Sequence, residues 1–214
     1  MTESLCCLAF DALYLKLVGD QADSEISLSY FDHWLGIKEK LPKSAPLFVT
    51  YNINDQLRGC IGTFSPLEIE SGVKEFSLNA ALNDPRFPPI GHADLNEKLD
   101  VHVTLLDEFE HIRQWDNWTV GEHGLKVSMT VPSRRHRLSG TFLPSVAEEQ
   151  EWDKVTTLWY LLKKAGYETV SKQQTVDFYT RGIGEGWLQL VRYRGKKASY
   201  NFEPYMEFRE DYEE

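Results

Sequence analysis

The residues best suited to chemistry lie in the stretch from Leu57 to Gly62, which reads Leu-Arg-Gly-Cys-Ile-Gly. If the stretch is a β-strand, Arg58 and Cys60 point to the same face, because successive side chains alternate. A guanidinium beside a thiol favours the thiolate, which is the nucleophilic form of cysteine. Gly59 and Gly62 leave the backbone beside the thiol uncovered, so another group can approach closely. The stretch therefore predicts a candidate site without naming a reaction.

Two interpretations of Cys60 are open at this point. In the first, Cys60 is a nucleophile, a redox thiol or a transient metal ligand, activated by Arg58. In the second, Cys60 is a small residue that packs in a glycine-rich strand, and Arg58 is bound to a carboxylate elsewhere. The second interpretation has weight because free cysteines are among the residues most often buried.

His123 is the other titratable candidate, and it lies in the Gly-x-x-Gly segment at 121–124. The flanking glycines predict an exposed imidazole on a loop before a strand, which suits acid–base catalysis or metal binding. The alternative is a structural turn in which His123 hydrogen-bonds the backbone. A Cys60–His123 pair would match an activated nucleophile with its base. The catalytic candidates are Cys60, Arg58 and His123.

The segment at 84–89 reads Asp-Pro-Arg-Phe-Pro-Pro and is predicted to form a stiff loop. Each proline fixes its own φ and restricts the residue before it. Asp84 and Arg86 carry opposite charges; they either organise a ligand pocket with Phe87 as a wall or hold the proline loop in place. The predicted binding residues are Gly59, Gly62, Asp84, Arg86 and Phe87.

The composition is that of a globular protein, with 42% hydrophobic and 26% charged residues in a chain of 214. This length suits one domain, or one domain with a smaller lobe. The net charge of −10 repels nucleic-acid backbones and anionic membranes. RNA binding would need a local basic patch, for which the groups at 134–137 and 192–197 are available. We expect RNA binding to be disfavoured and no membrane partner.

The cysteines are three in number, Cys6, Cys7 and Cys60, and no C-x-x-C pair occurs. Neither a zinc knuckle nor a redox dithiol motif is therefore available, and the sequence assigns no metal and no cofactor. An odd number of cysteines fits a reducing compartment. The N-terminal segment has the pattern of neither a signal peptide nor a membrane span. We expect the protein in the cytoplasm, the nucleus or both.

The elements predicted to position the candidate residues begin with a buried helix over 5–18. Alternating residues over 47–53 and 57–64 predict two strands of a hairpin, joined by a turn at 54–56. The Leu57–Gly62 stretch is therefore placed on the second arm of this hairpin. The polar stretch from Gly19 to Ser29 is predicted to be a loop.

A second helix is predicted to begin directly after this strand, with Ser65 as N-cap and Glu68 completing a capping box. Ser145 and Asp153 are likewise predicted to start two later helices. The tail over 206–214 is acidic and predicted to be frayed. Further strand patterns occur at 99–105, 125–129, 138–142 and 187–193. Interleaved strands and helices favour an α+β fold with a largely antiparallel sheet.

Seven stretches together carry a family resemblance, and they lie at 57–62, 84–89, 121–124, 141–144, 150–153, 161–167 and 192–194. Taken in order, they resemble the AMMECR family, named for the AMME-syndrome chromosomal region. The resemblance covers nearly the whole chain and implies a single AMMECR-like domain over 1–205 with one larger and one smaller lobe. Family members usually have glycine where Glu151 stands, and the segment at 184–187 is also divergent.

The resemblance also implies partners, although it supplies no catalytic residues to carry over. In prokaryotes the domain occurs beside, or fused to, Memo-like proteins and radical SAM enzymes, and the human relative is described as nuclear and regulatory. We therefore expect a regulatory or accessory protein with a protein partner, a Memo-like protein being one, and a cleft around Leu57–Gly62. The alternative is a thiol-dependent enzyme or enzyme subunit acting with Memo-like or radical SAM partners, RNA modification included.

Overall fold

The computed structural model describes residues 3–19, 25–38, 40–131 and 136–213. The chain forms two compact units, of which the larger comprises Met1–Leu106 with Lys196–Glu214 and the smaller Asp107–Gly195. The fold is α+β with an antiparallel sheet, which confirms the class predicted from sequence. No helix in the described part of the chain is both long and apolar enough to cross a membrane.

Six strands in the described residues form one sheet in the order β2-β1-β3-β6-β4-β5. Strands β3 and β6 each continue from one unit into the other. The strands are β1 Ser44–Ile53, β2 Gln56–Glu68, β3 Leu99–Ile112, β4 Gly124–Met129, β5 Leu138–Phe142 and β6 Leu188–Asn201. The helices are α1 Glu3–Val18, α2 Leu28–Trp34, α3 Ile69–Leu82, α4 Pro144–Glu149, α5 Lys154–Lys164, α6 Thr175–Gly184 and α7 Phe202–Glu213.

The core of the first unit lies between the helices and one face of β1. Leu47, Val49 and Tyr51 alternate along β1 and are fully buried against this core. Helix α1 is apolar around most of its circumference and is buried on most sides, as its sequence predicted. The opposite face of the sheet, which we call the outer face, carries the intervening residues of β1.

The predicted hairpin is present. Asn54 and Asp55 have φ values of 52° and 60°, the left-handed conformation of a two-residue turn that matches the twist of the flanking strands. Its register places Thr50 of β1 directly opposite Cys60 of β2. Hairpin geometry therefore fixes which face carries the thiol.

The predicted helix start at Ser65 is wrong. Strand β2 continues to Glu68, because β1 begins at Ser44 and Ser44 pairs with Glu68. Pro66 lies in an irregularity of the β1–β2 ladder, between the pairs Ala45–Leu67 and Leu47–Thr63, where a residue without an N–H group is tolerated. Glu68 itself caps α3, accepting the backbone N–H of Ser71 at 2.8 Å.

The tail is also corrected by the structure, since residues 206–213 continue α7 and are not frayed. Phe208 packs into the core at 3% exposure, and Arg209 forms a buried ion pair with Asp11. The acidic residues of α7 lie on the solvent side of an anchored helix.

Helix α2 lies partly within the predicted loop and is capped by the Ser27 hydroxyl.

The second unit packs α5 beside β5 and β4, with a core of its own. Asp153 caps α5 as predicted, accepting the N–H of Thr156 at 2.6 Å. Helix α4 instead starts at Pro144 with Leu143 at the N-cap and no side-chain cap, so the prediction for Ser145 is wrong. Proline at the first helical position needs no partner for an N–H, which makes a capping side chain less necessary.

Candidate functional site

Cys60 lies half-buried on the outer face of β2. The Thr50 hydroxyl on β1 donates a hydrogen bond to Cys60 Sγ at 3.2 Å. Among the strands of the described residues, β2 lies at the edge of the sheet and is paired with β1 alone. Backbone groups on its other edge therefore need partners from outside the sheet.

Asp84 and Arg86 supply those partners at Cys60. The Cys60 N–H donates to Asp84 Oδ2 at 2.9 Å, and Arg86 Nη2 donates to the Cys60 carbonyl at 2.8 Å. Arg86 also donates to Asp84 from Nε at 2.9 Å and from Nη2 at 2.6 Å, a bidentate ion pair. The pair predicted from the loop sequence is thus present, and it occupies the place of an adjacent strand.

The carboxylate of Asp84 is shielded from solvent, with 2% of its side chain exposed. Hydrogen bonds from the Arg86 side chain hold the pKa of Asp84 well below its usual range, and the N–H groups of Cys60 and Arg86 act in the same direction. These effects outweigh burial, which raises the pKa of a carboxyl group. Asp84 is therefore an anion that positions its neighbours.

Arg58 points away from the role of thiol activator that its sequence position suggested. Its guanidinium donates to the carbonyl oxygen of Pro88 and, at 3.0 Å, to that of Pro89. The second interpretation of the sequence bound Arg58 to a carboxylate, but its partners in the structure are two backbone carbonyl oxygens. We call Arg58, Asp84 and Arg86 the loop clamp, because together they bind the proline loop to β2.

Arg86 is the guanidinium that binds Cys60, through the backbone carbonyl of that residue. The pKa of Arg86 is raised mainly by the hydrogen bond and charge of Asp84. The Arg86 side chain is 55% exposed and lies near the Phe87 ring, 5.4 Å from its centroid. Phe87 therefore borders this arginine, as a wall residue would.

The glycines of the stretch are needed for close packing. A Cβ at Gly59 would lie 1.9 Å from the carbonyl oxygen of Ala80 in α3. A Cβ at Gly62 would lie 2.1 Å from Phe48 Cδ1 and 2.6 Å from the Leu47 carbonyl oxygen. The space beside both glycines is thus filled by the protein itself.

Replacement of Gly59 by alanine is expected to lower the free energy of unfolding by about 2–3 kcal/mol, because the new methyl group overlaps a backbone oxygen that cannot rotate away. Urea unfolding measures the loss. The matched control is Gly184→Ala in α6, where nothing lies within 4 Å of the new Cβ. Equal effects of the two substitutions would contradict the packing role of Gly59.

His123 lies in the second unit, whereas the other site candidates lie in the first. Its predicted exposure is wrong, since the residue is 8% exposed. Nδ1 accepts the backbone N–H of Thr119 at 3.1 Å, as the structural-turn alternative proposed. Burial lowers the pKa of His123, the nearby Arg192 and Arg194 lower it further, and Glu122 opposes them.

The arginines of β6 are engaged with carboxylates. Arg192 contacts Glu110 at 2.6 Å and Arg194 contacts Glu108 at 3.3 Å. Of the other basic group, at 134–137, the first two residues lie outside the described residues. The β6 arginines are therefore not an unpaired basic patch for a phosphate backbone.

Sequence reasoning missed His102 and Asp100 on β3. His102 is directly opposite Thr50, which is itself opposite Cys60, so the three share the outer face. His102 Nε2 lies 2.6 Å from Asp100 Oδ1, and burial lowers the pKa of His102. Alternation along β3 places His102 on the face away from the core, but only the register of β1 with β3 aligns it with the thiol.

Thiol labelling is expected to distinguish Cys60 from Cys6 and Cys7. The two cysteines of α1 are fully buried, and burial raises the pKa of Cys6 to about 12. Iodoacetamide should therefore label Cys60 alone in the folded protein, and Cys6 and Cys7 only after unfolding. Peptide mass spectrometry locates the label. Labelling of Cys6 or Cys7 without unfolding would contradict this core.

Comparison with known proteins gives a consistent family assignment. The family model described as AMMECR1 matches residues 6–182. An uncharacterized protein of Kluyveromyces lactis is 36% identical over 76% of this chain and 74% of its own length. An uncharacterized protein of Arabidopsis thaliana is 33% identical with the same coverage. The crystal structure of an uncharacterized protein from Pyrococcus horikoshii matches with a TM-score of 0.60 and 25% identity, covering 91% of this chain and 89% of that one.

Proposed function

This chain belongs to the AMMECR1 family, and we propose that it acts inside the cell as a regulatory or accessory module that binds a protein partner. The loop clamp is the observation that carries the proposal. Each of its charged side chains is bonded to a carboxylate, a guanidinium or backbone groups within the first unit. Side chains so engaged hold the proline loop against the edge strand β2.

The surface proposed to bind the partner is the outer face of β1, β2 and β3, which the clamp borders at Cys60. It mixes an aromatic residue, Phe48, with the polar residues Thr50, His102 and Thr104, all of them half-buried. A half-apolar surface with hydrogen-bonding groups is typical of protein interfaces. The net charge of −10 and the paired arginines of β6 favour a protein over RNA as partner.

A Memo-like protein encoded in the same genome is the first partner to test, because the family association points to it. Calorimetric titration should show binding that Thr104→Glu weakens by at least about tenfold, since the substitution buries an unpaired charge on the outer face. Glu149→Lys in the second unit is the control and should bind like the wild type.

The same titration with Cys60→Ser tests whether partner binding depends on the thiol, whereas turnover by the assembled complex separates the binding module from the enzyme. A binding module predicts affinity within about twofold of the wild type, because serine keeps the size of the side chain. A folded Cys60→Ser variant that loses its partner would contradict the proposal. Folding is checked beforehand by circular dichroism.

A thiol-dependent enzyme, or an enzyme subunit working with Memo-like or radical SAM partners, is the second candidate. Thr50 favours it, because its hydroxyl donates a hydrogen bond to the sulfur of the half-buried Cys60. RNA modification is one reaction in this class. For such an enzyme, Cys60→Ser would abolish turnover by the assembled complex while binding persisted.

A further inference from the structure

A cavity of about 560 Å³ opens in the second unit, between helix α6 and the segment that precedes it. One face of the helix and its N-cap line the cavity with Gln174, Asp177, Phe178 and Arg181, since residues three, four and seven positions apart share a helical face. The segment at 167–170 also lines it. Its volume is within the range of about 300–1,000 Å³ that is typical of small-molecule sites.

Hydrogen bonds and ring contacts hold the walls of this cavity in place. Trp159 Nε1 donates to the Val170 carbonyl at 3.0 Å, which fixes the segment before the helix. The rings of Tyr167 and Phe178 are stacked with their centroids 5.1 Å apart, and Phe178 also meets Trp187 edge-on at 5.0 Å. The cavity is therefore formed before a ligand arrives, and binding needs to order few side chains.

Asp177 and Arg181 line the cavity without forming an ion pair. Their separation of four residues, with the acid first, is the arrangement in which charged side chains on a helix pair most readily. Among the described residues, neither has an ion-pair partner within 4.0 Å. Glu185 lies four residues after Arg181, but its carboxylate accepts Trp187 Nε1 at 2.7 Å. The cavity is thus bordered by a carboxylate and a guanidinium whose charges are both available to a ligand.

These two charges favour a ligand that carries both an ammonium and a carboxylate group. The Arg181 guanidinium can bind a carboxylate through two parallel hydrogen bonds, and the Asp177 carboxylate can accept hydrogen bonds from an ammonium group. Cβ atoms at this spacing lie about 5–6 Å apart, so the two groups of the ligand must be close together. An α-amino acid carries both groups on one carbon atom. The second unit has as many basic as acidic residues, so its net charge favours neither an anion nor a cation over such a zwitterion.

The aromatic wall indicates the side chain of the ligand. Tyr167 and Phe178 both line the cavity, and Tyr167 is half-buried. An aromatic ring of the ligand can extend their stack in the offset geometry that such rings prefer. The same contact removes apolar surface of both partners from water. A flat aromatic side chain therefore fits this wall better than a charged one.

We propose that this cavity binds a free aromatic α-amino acid. The carboxylate of the ligand lies on Arg181, its ammonium group lies on Asp177, and its ring packs on Tyr167. The ligand completes the charge pairing that these two residues do not make with each other. The proposal goes beyond partner binding, because every residue that lines the cavity belongs to the second unit, whereas the outer-face residues Thr50, His102 and Thr104 belong to the first.

Titration of the full chain with L-phenylalanine, followed by the amide resonances in nuclear magnetic resonance spectra, tests the proposal. Saturable shifts are expected in α6 and at 167–170. Glycine has the same charged groups without the ring and should bind at least about tenfold more weakly. No saturation up to about 10 mM, ten times a Kd of about 1 mM, or saturable shifts confined to other segments would overturn the proposal. Equal affinities for the two amino acids would overturn the assigned side chain.

Two substitutions and two ligand analogues test the charged contacts. Asp177→Asn and Arg181→Gln should each weaken binding of L-phenylalanine by at least about tenfold, because each removes charge-assisted hydrogen bonds. N-acetylphenylalanine lacks the ammonium group, phenylalanine amide lacks the carboxylate, and each should bind more weakly by a similar factor. Glu185→Gln is the matched control on the same helix and should bind like the wild type.

The side chains of Asp177 and Arg181 are exposed, so both variants are expected to fold, which circular dichroism checks. Wild-type affinity in either variant, or equal weakening by Glu185→Gln, would overturn the assigned contacts. No partner protein enters these measurements, so a negative result would leave the proposed binding function standing.

Discussion

Replacement of Asp11 by alanine is expected to lower the free energy of unfolding by about 3–5 kcal/mol, because it removes the carboxylate from a buried guanidinium. Asp11 on α1 and Arg209 on α7 form an ion pair in which each side chain is 1% exposed. Asp11 also accepts the Tyr205 hydroxyl at 2.9 Å and the Ile26 N–H at 3.2 Å. A single substitution therefore removes a partner from three residues in two segments of the first unit, namely Arg209 and Tyr205 in α7 and Ile26 before α2.

Urea unfolding measures this loss, with Glu149→Ala as the control for removing a carboxylate from the surface. The control should lie within about 0.5 kcal/mol of the wild type. The double substitution Asp11→Leu with Arg209→Met should recover part of the stability, because it removes both charges together. A single Asp11→Ala variant as stable as the control would contradict the buried pair.

Asp84→Asn is expected to cost about 2–3 kcal/mol at neutral pH, because hydrogen bonds to a charged acceptor are worth about twice those to a neutral one. The amide keeps the shape of the carboxyl group but loses the ion pair with Arg86. One carboxylate oxygen is also replaced by an NH₂ group, which is a donor and faces the donor groups of Arg86 or Cys60. The loss is read from urea unfolding at pH 7.

The same substitution has a pH signature. The folded-state pKa of Asp84 is lowered, so its contribution to stability is fully present above its unfolded value of about 3.9. That contribution is lost as the pH falls through the folded value. The stability difference between the wild type and Asp84→Asn should therefore shrink between pH 5 and pH 3, values of about one unit on either side of the unfolded pKa. Glu149→Gln should keep the wild-type pH dependence, and an Asp84→Asn variant that also keeps it would contradict the clamp.

Local sequence patterns predicted the elements whose determinants are local. The hairpin over 47–64 followed from alternation and a turn, and Asp153 was identified as a cap by its position before an apolar stripe. The predicted start of α3 at Ser65 was wrong because the pairing of Ser44 with Glu68 extends β2 past the residues that locally favour a helix. The prediction of a frayed tail was wrong because the tail is anchored through Arg209 to Asp11, which lies 198 residues earlier in the chain.

The site shows the same division between local and long-range determinants. The Asp84–Arg86 pair is separated by one residue and was predicted from that spacing. The attachment of this pair to Cys60 was not predicted, because the sequence does not reveal that β2 is an edge strand whose outer backbone groups need hydrogen-bond partners. His102 was missed for a similar reason, since only the pairing register places it in one row with Cys60.

Hydrogen exchange at the Cys60 amide tests the loop clamp most directly. The amide lies on an edge strand, and its hydrogen bond goes to Asp84 Oδ2. We predict slow exchange by nuclear magnetic resonance in the wild type, and exchange at least about tenfold faster in Asp84→Asn as the local opening free energy falls. Exchange in the wild type as fast as that of the exposed turn residue Asp55, or no change in Asp84→Asn, would contradict the clamp.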